Sequence, residues 1–116
     1  MNNPKKLFFH DFNKAFVTGD YDFVFENVTD HIIWTIVGEE QINGKDELKE
    51  KFNANNGTEH SINRVITHGI EAVVEGTYTN EDGKRYQFSE IYKLNKHKNG
   101  LIREITSYII EIQSNV

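Results

Sequence analysis

The chain divides by the period of its hydrophobic pattern. Up to Phe52, stretches of helical spacing surround one extended run, and from Glu59 onward the pattern is that of strands. Pro4 suits the first turn of a helix, where a missing N–H costs nothing, and Asn3 before it is a suitable N-cap. Phe8, Phe12 and Phe16 recur at i, i+4 and i+8 with Phe9 and Ala15 beside them, which predicts one apolar stripe ending at Gly19. Asp20 can cap a second, shorter helix carrying Tyr21, Phe23, Val24 and Val28, broken at Thr29-Asp30.

Residues 31 to 37 are almost wholly apolar or β-branched, as expected of a central strand covered on both faces. Gly44 then opens a third helix, with Leu48 and Phe52 toward the core, Glu47 and Lys51 paired at i,i+4, and a stop at Asn56-Gly57. Strands follow at about 59–68, 71–79, 84–95 and 100–112, with turns at His68-Gly69, Asp82-Gly83 and Asn99-Gly100. Three helices followed by antiparallel hairpins predict an α+β layer structure, with the helices on the concave face of a curved sheet. Alternation along the last strand sends Ile105 and Ile109 to one side and Ile102, Tyr108, Ile110 and Ile112 to the other. With the helices used on one face, the outer face is expected to meet a second copy in a homodimer; burial under the chain's own C-terminal tail is the alternative.

At 116 residues the sequence fits one domain. Its net charge of -5 opposes nucleic-acid binding, which rests on neutralising phosphates. The absence of Cys excludes thiol nucleophiles and disulfides and suits a reducing cytoplasm, and no apolar run is long enough for a membrane span. Eight Phe and 12% aromatic residues fit either an aromatic-lined cavity or a Phe-rich core. No His pair has metal-ligand spacing: His60 and His68 share a strand face too far apart, and His31 reads best as a structural histidine. No nucleophile elbow, phosphate loop or dinucleotide fingerprint is present, so neither metal nor cofactor is expected.

The strand from Arg85 to Leu94 carries Tyr86, Phe88, Glu90, Tyr92 and Leu94 on one face, which sets a single carboxylate in an aromatic row. Facing a cavity under the helices, Glu90 would be desolvated and poised as a general acid. The alternative is structural. A turn closing at Asn95 and Gly100 sets Glu90 opposite Ile105, within diagonal reach of Arg103 and Ser107. A two-residue turn at Asp82-Gly83 would also set Glu75 opposite Glu90, whereas a one-residue slip sends Glu75 to the other face.

The order of Phe-rich helix, short helix, Asp30-His-Ile-Ile-Trp-Thr-Ile-Val-Gly38 strand and Asn43-Gly44-Lys-Asp helix resembles the SnoaL-like branch of the nuclear-transport-factor-2-like superfamily. The resemblance implies a cone-shaped fold, a homodimer and a pocket for a small hydrophobic or carbonyl-bearing molecule, lined by Phe12, Phe16, Thr35, Tyr92, Ile105 and Ile109. Trp34 joins that lining only if a bulge rotates it inward. Of the polar roles in the related isomerases, the base falls on Thr35, the oxyanion-hole Tyr on Phe12, and the assisting acid on or near Glu90. The cyclase carboxylate of the last strand falls on Ile110. The resemblance thus implies either an acid/base enzyme relying on Glu90 or a non-catalytic binding or interaction module.

Overall fold

The computed structural model describes residues 3–52 and 57–113, and in it three helices lie against a curved six-stranded sheet. Helix α1 (Pro4–Thr18) starts at Asn3, whose Oδ1 accepts from the backbone N–H groups of Lys5 and Lys6, and stops at Gly19 with φ 89°. Its buried stripe is Phe9, Phe12, Asn13, Ala15 and Phe16, with Phe8 only partly covered. Asp20 caps α2 (Tyr21–Glu26), and Val28 begins the first strand instead of extending that helix. Helix α3 (Gly44–Lys51) buries Leu48, and Phe52 follows it into the core. The expected Glu47–Lys51 pair does not form. Glu47 turns back to accept from the Asn43 N–H, and Lys51 pairs with Glu40 at 2.7 Å. Asn56, read as part of the stop, lies outside the described residues.

The strands are β1 (Val28–Ile36), β2 (Glu40–Asn43), β3 (Glu59–His68), β4 (Glu71–Thr79), β5 (Arg85–Leu94) and β6 (Ile102–Glu111), in the spatial order β2-β1-β6-β5-β4-β3. Neighbours are antiparallel except β1 and β6, which run parallel. β2 is new relative to the sequence reading, because four residues with Ile42 as the only apolar one carry no periodic signal. Helix α1 covers β3 and β4 while α3 covers β1 and β2, so the concave centre of the sheet lies between them.

Two connections set the register. Between β4 and β5 the loop holds three residues: the Gly83 N–H donates to Asn80 O at 3.1 Å and Gly83 takes φ 88°, a turn with an added left-handed residue. That extra residue is the one-residue slip. Glu75 therefore pairs with Ser89 on the convex side, and Val74 stands opposite Glu90. Between β5 and β6 the loop closes one residue later than expected, with the Asn95 N–H on Leu101 O, and a bulge at Arg103 adds a second residue. The two slips sum to an even shift that keeps faces intact but moves partners, so Ser107, not Ile105, opposes Glu90. The same bulge turns Ile102 into the core, against the expectation that it faces outward.

On the convex face a cross-strand row runs Thr35, Thr106, Ile91, Val73, Ile66. Ile66, Ile91, Tyr108 and Ile110 are exposed there, Ile110 to 70%. β1 is thus covered fully on its concave face alone, with Ile33 37% exposed on the other. Among the described residues no helix is long and apolar enough to cross a membrane.

Candidate functional site

A cavity of about 320 Å³ opens on the concave side. Phe16, Trp34, Ile36, Phe52 and Ile109 form its apolar wall, Tyr78 and Tyr86 another side, and Glu39, Lys51 and Asn80 also contribute to its lining. Glu90 belongs to the lining too, yet the residue is only 3% exposed. The walls pack as aromatic pairs: Trp34 meets Phe16 edge-on at 4.7 Å, and Tyr78 stacks on Tyr86 at 5.2 Å.

Strand alternation explains which predicted residues meet here. Ile32, Trp34 and Ile36 take the concave face of β1, whose pairing with β6 is irregular between Val28 and Ile33, so Trp34 points inward and Thr35 turns to the convex side, outside the cavity. Phe16, Trp34, Glu90 and Ile109 come together in the lining. Phe12, Tyr92 and Ile105 are buried to within 1% and pack beneath it, where Phe12 meets the Tyr92 ring edge-on at 5.5 Å.

The Glu90 carboxyl sits in a web of donors. Its Oε1 accepts from Asn13 Nδ2 at 2.8 Å and from the Tyr92 hydroxyl at 2.7 Å, while its Oε2 accepts from the Ser107 hydroxyl at 2.6 Å. Trp34 Nε1 donates to that same Ser107 oxygen at 2.8 Å, and Asn13 Nδ2 also reaches the Tyr92 oxygen at 2.8 Å. His60 Nε2 lies 2.8 Å from Asn13 Oδ1. Neither expected cross-hairpin arrangement occurs: Arg103 lies beside the exposed Glu104, and among the described residues no cation pairs with Glu90.

Burial pushes the Glu90 carboxyl above the ordinary carboxylate range, against the downward pull of Ser107, Tyr92 and Asn13. Burial, followed by the nearby Glu90 charge, likewise holds the Tyr92 phenol well above its usual value and pushes Tyr78 up to about 12. Both phenols therefore stay protonated at neutral pH, and Tyr92 donates to Glu90. Burial, then His10 and Lys14, keeps His60 below the ordinary histidine range. His31 is exposed, contrary to the buried structural role expected of it. Among the described residues no three His, Cys, Asp or Glu side chains converge on a point that could hold a metal ion.

Asn13 and His60 escaped the sequence reading as site residues. Asn13 carried a usable signal, a lone amide on the stripe Phe9, Asn13, Phe16 at i, i+4, i+7. His60 carried none, because its partner is 47 positions away in the chain.

Three helices against a curved, open, mostly antiparallel six-stranded sheet define the α+β class to which this fold belongs. The SnoaL-like domain family matches residues 9–105, and the chain belongs to it. Among solved structures, a nuclear-transport-factor-2-like protein of unknown function from Cytophaga hutchinsonii is 23% identical, with a TM-score of 0.67 over 90% of this chain and 98% of that one. An LEH-like epoxide hydrolase from M. tuberculosis is 16% identical with a TM-score of 0.76, covering 90% of this chain and 77% of its own. Nuclear transport factor 2 from Cryptosporidium parvum is 20% identical with a TM-score of 0.71, covering 91% and 90%. At these identities the likeness is one of fold. No curated protein matches the sequence.

Proposed function

We propose that this SnoaL-like protein binds a small molecule with an apolar or aromatic body and an oxygen acceptor such as a carbonyl, and that Glu90 exchanges a proton with it in isomerase-, cyclase- or hydrolase-type chemistry. The observation that carries this reading is the single desolvated carboxyl at the base of an aromatic cavity. Burial favours its protonated form, which donates a hydrogen bond to a bound carbonyl and polarises it. The only tryptophan of the sequence lines the cavity, so its fluorescence reports occupancy. Titration with a small aromatic ketone such as acetophenone is expected to quench Trp34 saturably, and a linear, unsaturable response would remove the ligand assignment.

A second reading is favoured by the lack, among the described residues, of a second buried carboxylate or a histidine in the cavity lining. Thr35 faces away, Ile110 stands at the cyclase carboxylate position, and Glu39 is exposed. It makes the protein a binding module that holds such ligands without turnover. Saturable quenching together with an unaltered ligand recovered after long incubation would select it.

In either case we place a homodimer on the convex face, where the Thr35 to Ile66 row offers exposed apolar side chains at mid-sheet. Light scattering is expected to return twice the 13.5 kDa chain mass, and Ile91→Glu to return one chain. A wild-type protein that stays at one chain mass at every concentration would discard the dimer.

A further inference from the structure

The side-chain amide of Asn13 is wholly buried and engaged at both ends, by Glu90 and Tyr92 on one side and by His60 on the other. Turning such an amide over exchanges a donor for an acceptor at little steric cost, so its neighbours decide which way it points. The two orientations make opposite demands on Glu90. With Nδ2 inward, Oε1 receives two donors and Oε2 one, which leaves one of the carboxylate's roughly four lone-pair positions open, on Oε2. A proton taken up by Glu90 then sits on Oε2. That is the side of Ser107 and its partner Trp34, and Trp34 lines the cavity whereas Asn13 and Tyr92 do not. With Oδ1 inward, the proton would be drawn to Oε1 to satisfy the amide oxygen, aimed at α1 and out of a ligand's reach.

The choice between them is made on the far side of Asn13. An inward Nδ2 leaves Oδ1 facing His60, which must then carry a hydrogen on Nε2; an inward Oδ1 needs a bare Nε2. The ring itself is held in place: half-buried on β3, it lies parallel to Phe88 with 5° between planes and centroids 6.1 Å apart. We propose that His60 is a positioning residue which, with its hydrogen on Nε2, locks the Asn13 amide as a donor to Glu90 and so assigns the Glu90 proton to the oxygen facing the cavity. His60 acts through Asn13 and does not touch the ligand. The inference rests on Glu90 as the proton-carrying group, but its test needs no ligand and no turnover.

The groups that bear on His60 come from three elements around it. Phe88 of β5 stacks on the ring, Tyr78 of β4 is its cross-strand partner, and His10 and Lys14 of α1 supply the charges that disfavour its protonation. The ring is therefore neutral at pH 7 and carries one hydrogen, whose position NMR can read. In nitrogen-15-labelled wild-type protein, His60 Nε2 is expected to be the protonated nitrogen. Carbon-13 titration of Glu90 is expected to show its pKa shifted further up in His60→Ala, where the amide is released, and returned toward wild type in His60→Gln, whose side-chain NH2 can donate to Asn13 Oδ1. A hydrogen found on Nδ1 with Nε2 bare would overturn the proposal, as would a Glu90 titration indifferent to His60→Ala. Should His60→Ala not fold, the wild-type tautomer alone decides. A protein that binds no ketone but has the Nε2 hydrogen would lose its proposed ligand and keep this lock.

Discussion

Replacing Glu90 by Gln is expected to lower turnover by about 10²- to 10⁴-fold while leaving the protein folded, the loss typical of removing a positioned acid or base. Gln fits the site: its oxygen can accept from Asn13 and Tyr92 where Oε1 did, and its NH2 can replace the Oε2 contact by donating to Ser107. Only the exchangeable proton is gone. Binding measured through Trp34 should persist, because the aromatic wall is untouched, and a Glu90→Gln protein that retains full turnover would dismiss Glu90 as the proton carrier.

The same variant separates the pH dependence that belongs to this one group. Burial raises the Glu90 pKa in the folded state above its unfolded value, so between those two values the folded protein holds a proton that the unfolded chain has released. Its contribution to stability is complete below the unfolded pKa, which lies in the ordinary carboxylate range, and is lost as pH rises through the folded pKa. The wild-type melting temperature minus that of Glu90→Gln should therefore fall as pH climbs out of that range and then level off. A difference that rises with pH would mean that the donors from Ser107, Tyr92 and Asn13 outweigh desolvation.

Phe12→Ala is expected to cost about 3–5 kcal/mol, on the order of 15 °C in melting temperature for a domain of this size. Phe12 is fully buried, packs against the Phe16 ring at 5.8 Å and supports the edge of the Tyr92 ring at 5.5 Å. Its loss leaves a cavity between α1 and β5 that rigid strands cannot close. Tyr92 also loses the ring that seats its hydroxyl between Asn13 and Glu90. Urea unfolding should show a lower midpoint with an unchanged slope. A loss below about 1 kcal/mol would mean that α1 resettles onto the sheet and fills the gap.

The elements of this fold were legible in its sequence because they rest on short-range physics. Asn3 and Gly19 bracket α1, and the four long strands from Glu59 to Glu111 follow from alternation and turn residues. Alternation alone also put Phe88, Glu90 and Tyr92 on one face, where the structure has them. Carrying a site over by family position assigned Thr35 to the pocket and left Trp34 outside unless a bulge intervened; beyond the irregularity in β1 between Val28 and Ile33, the pleat turns Trp34 in and Thr35 out.

What the tertiary structure decided is who faces whom. The three-residue loop before β5 removed Glu75 from the Glu90 face, and the later closure and Arg103 bulge brought Ser107 in place of Ile105. One residue of loop length is nearly invisible in a sequence, yet it inverts or displaces every cross-strand partner. The web around Glu90 draws on residues from α1, β1, β3, β5 and β6, joined by contacts 47, 73 and 77 positions apart. The sequence determined that one carboxylate would share a strand face with a row of aromatic rings. Only the packing of α1 across the sheet decided that Asn13, and not a charged partner, would meet it there, because a helix sets its depth and rotation by side-chain fit over its whole buried stripe.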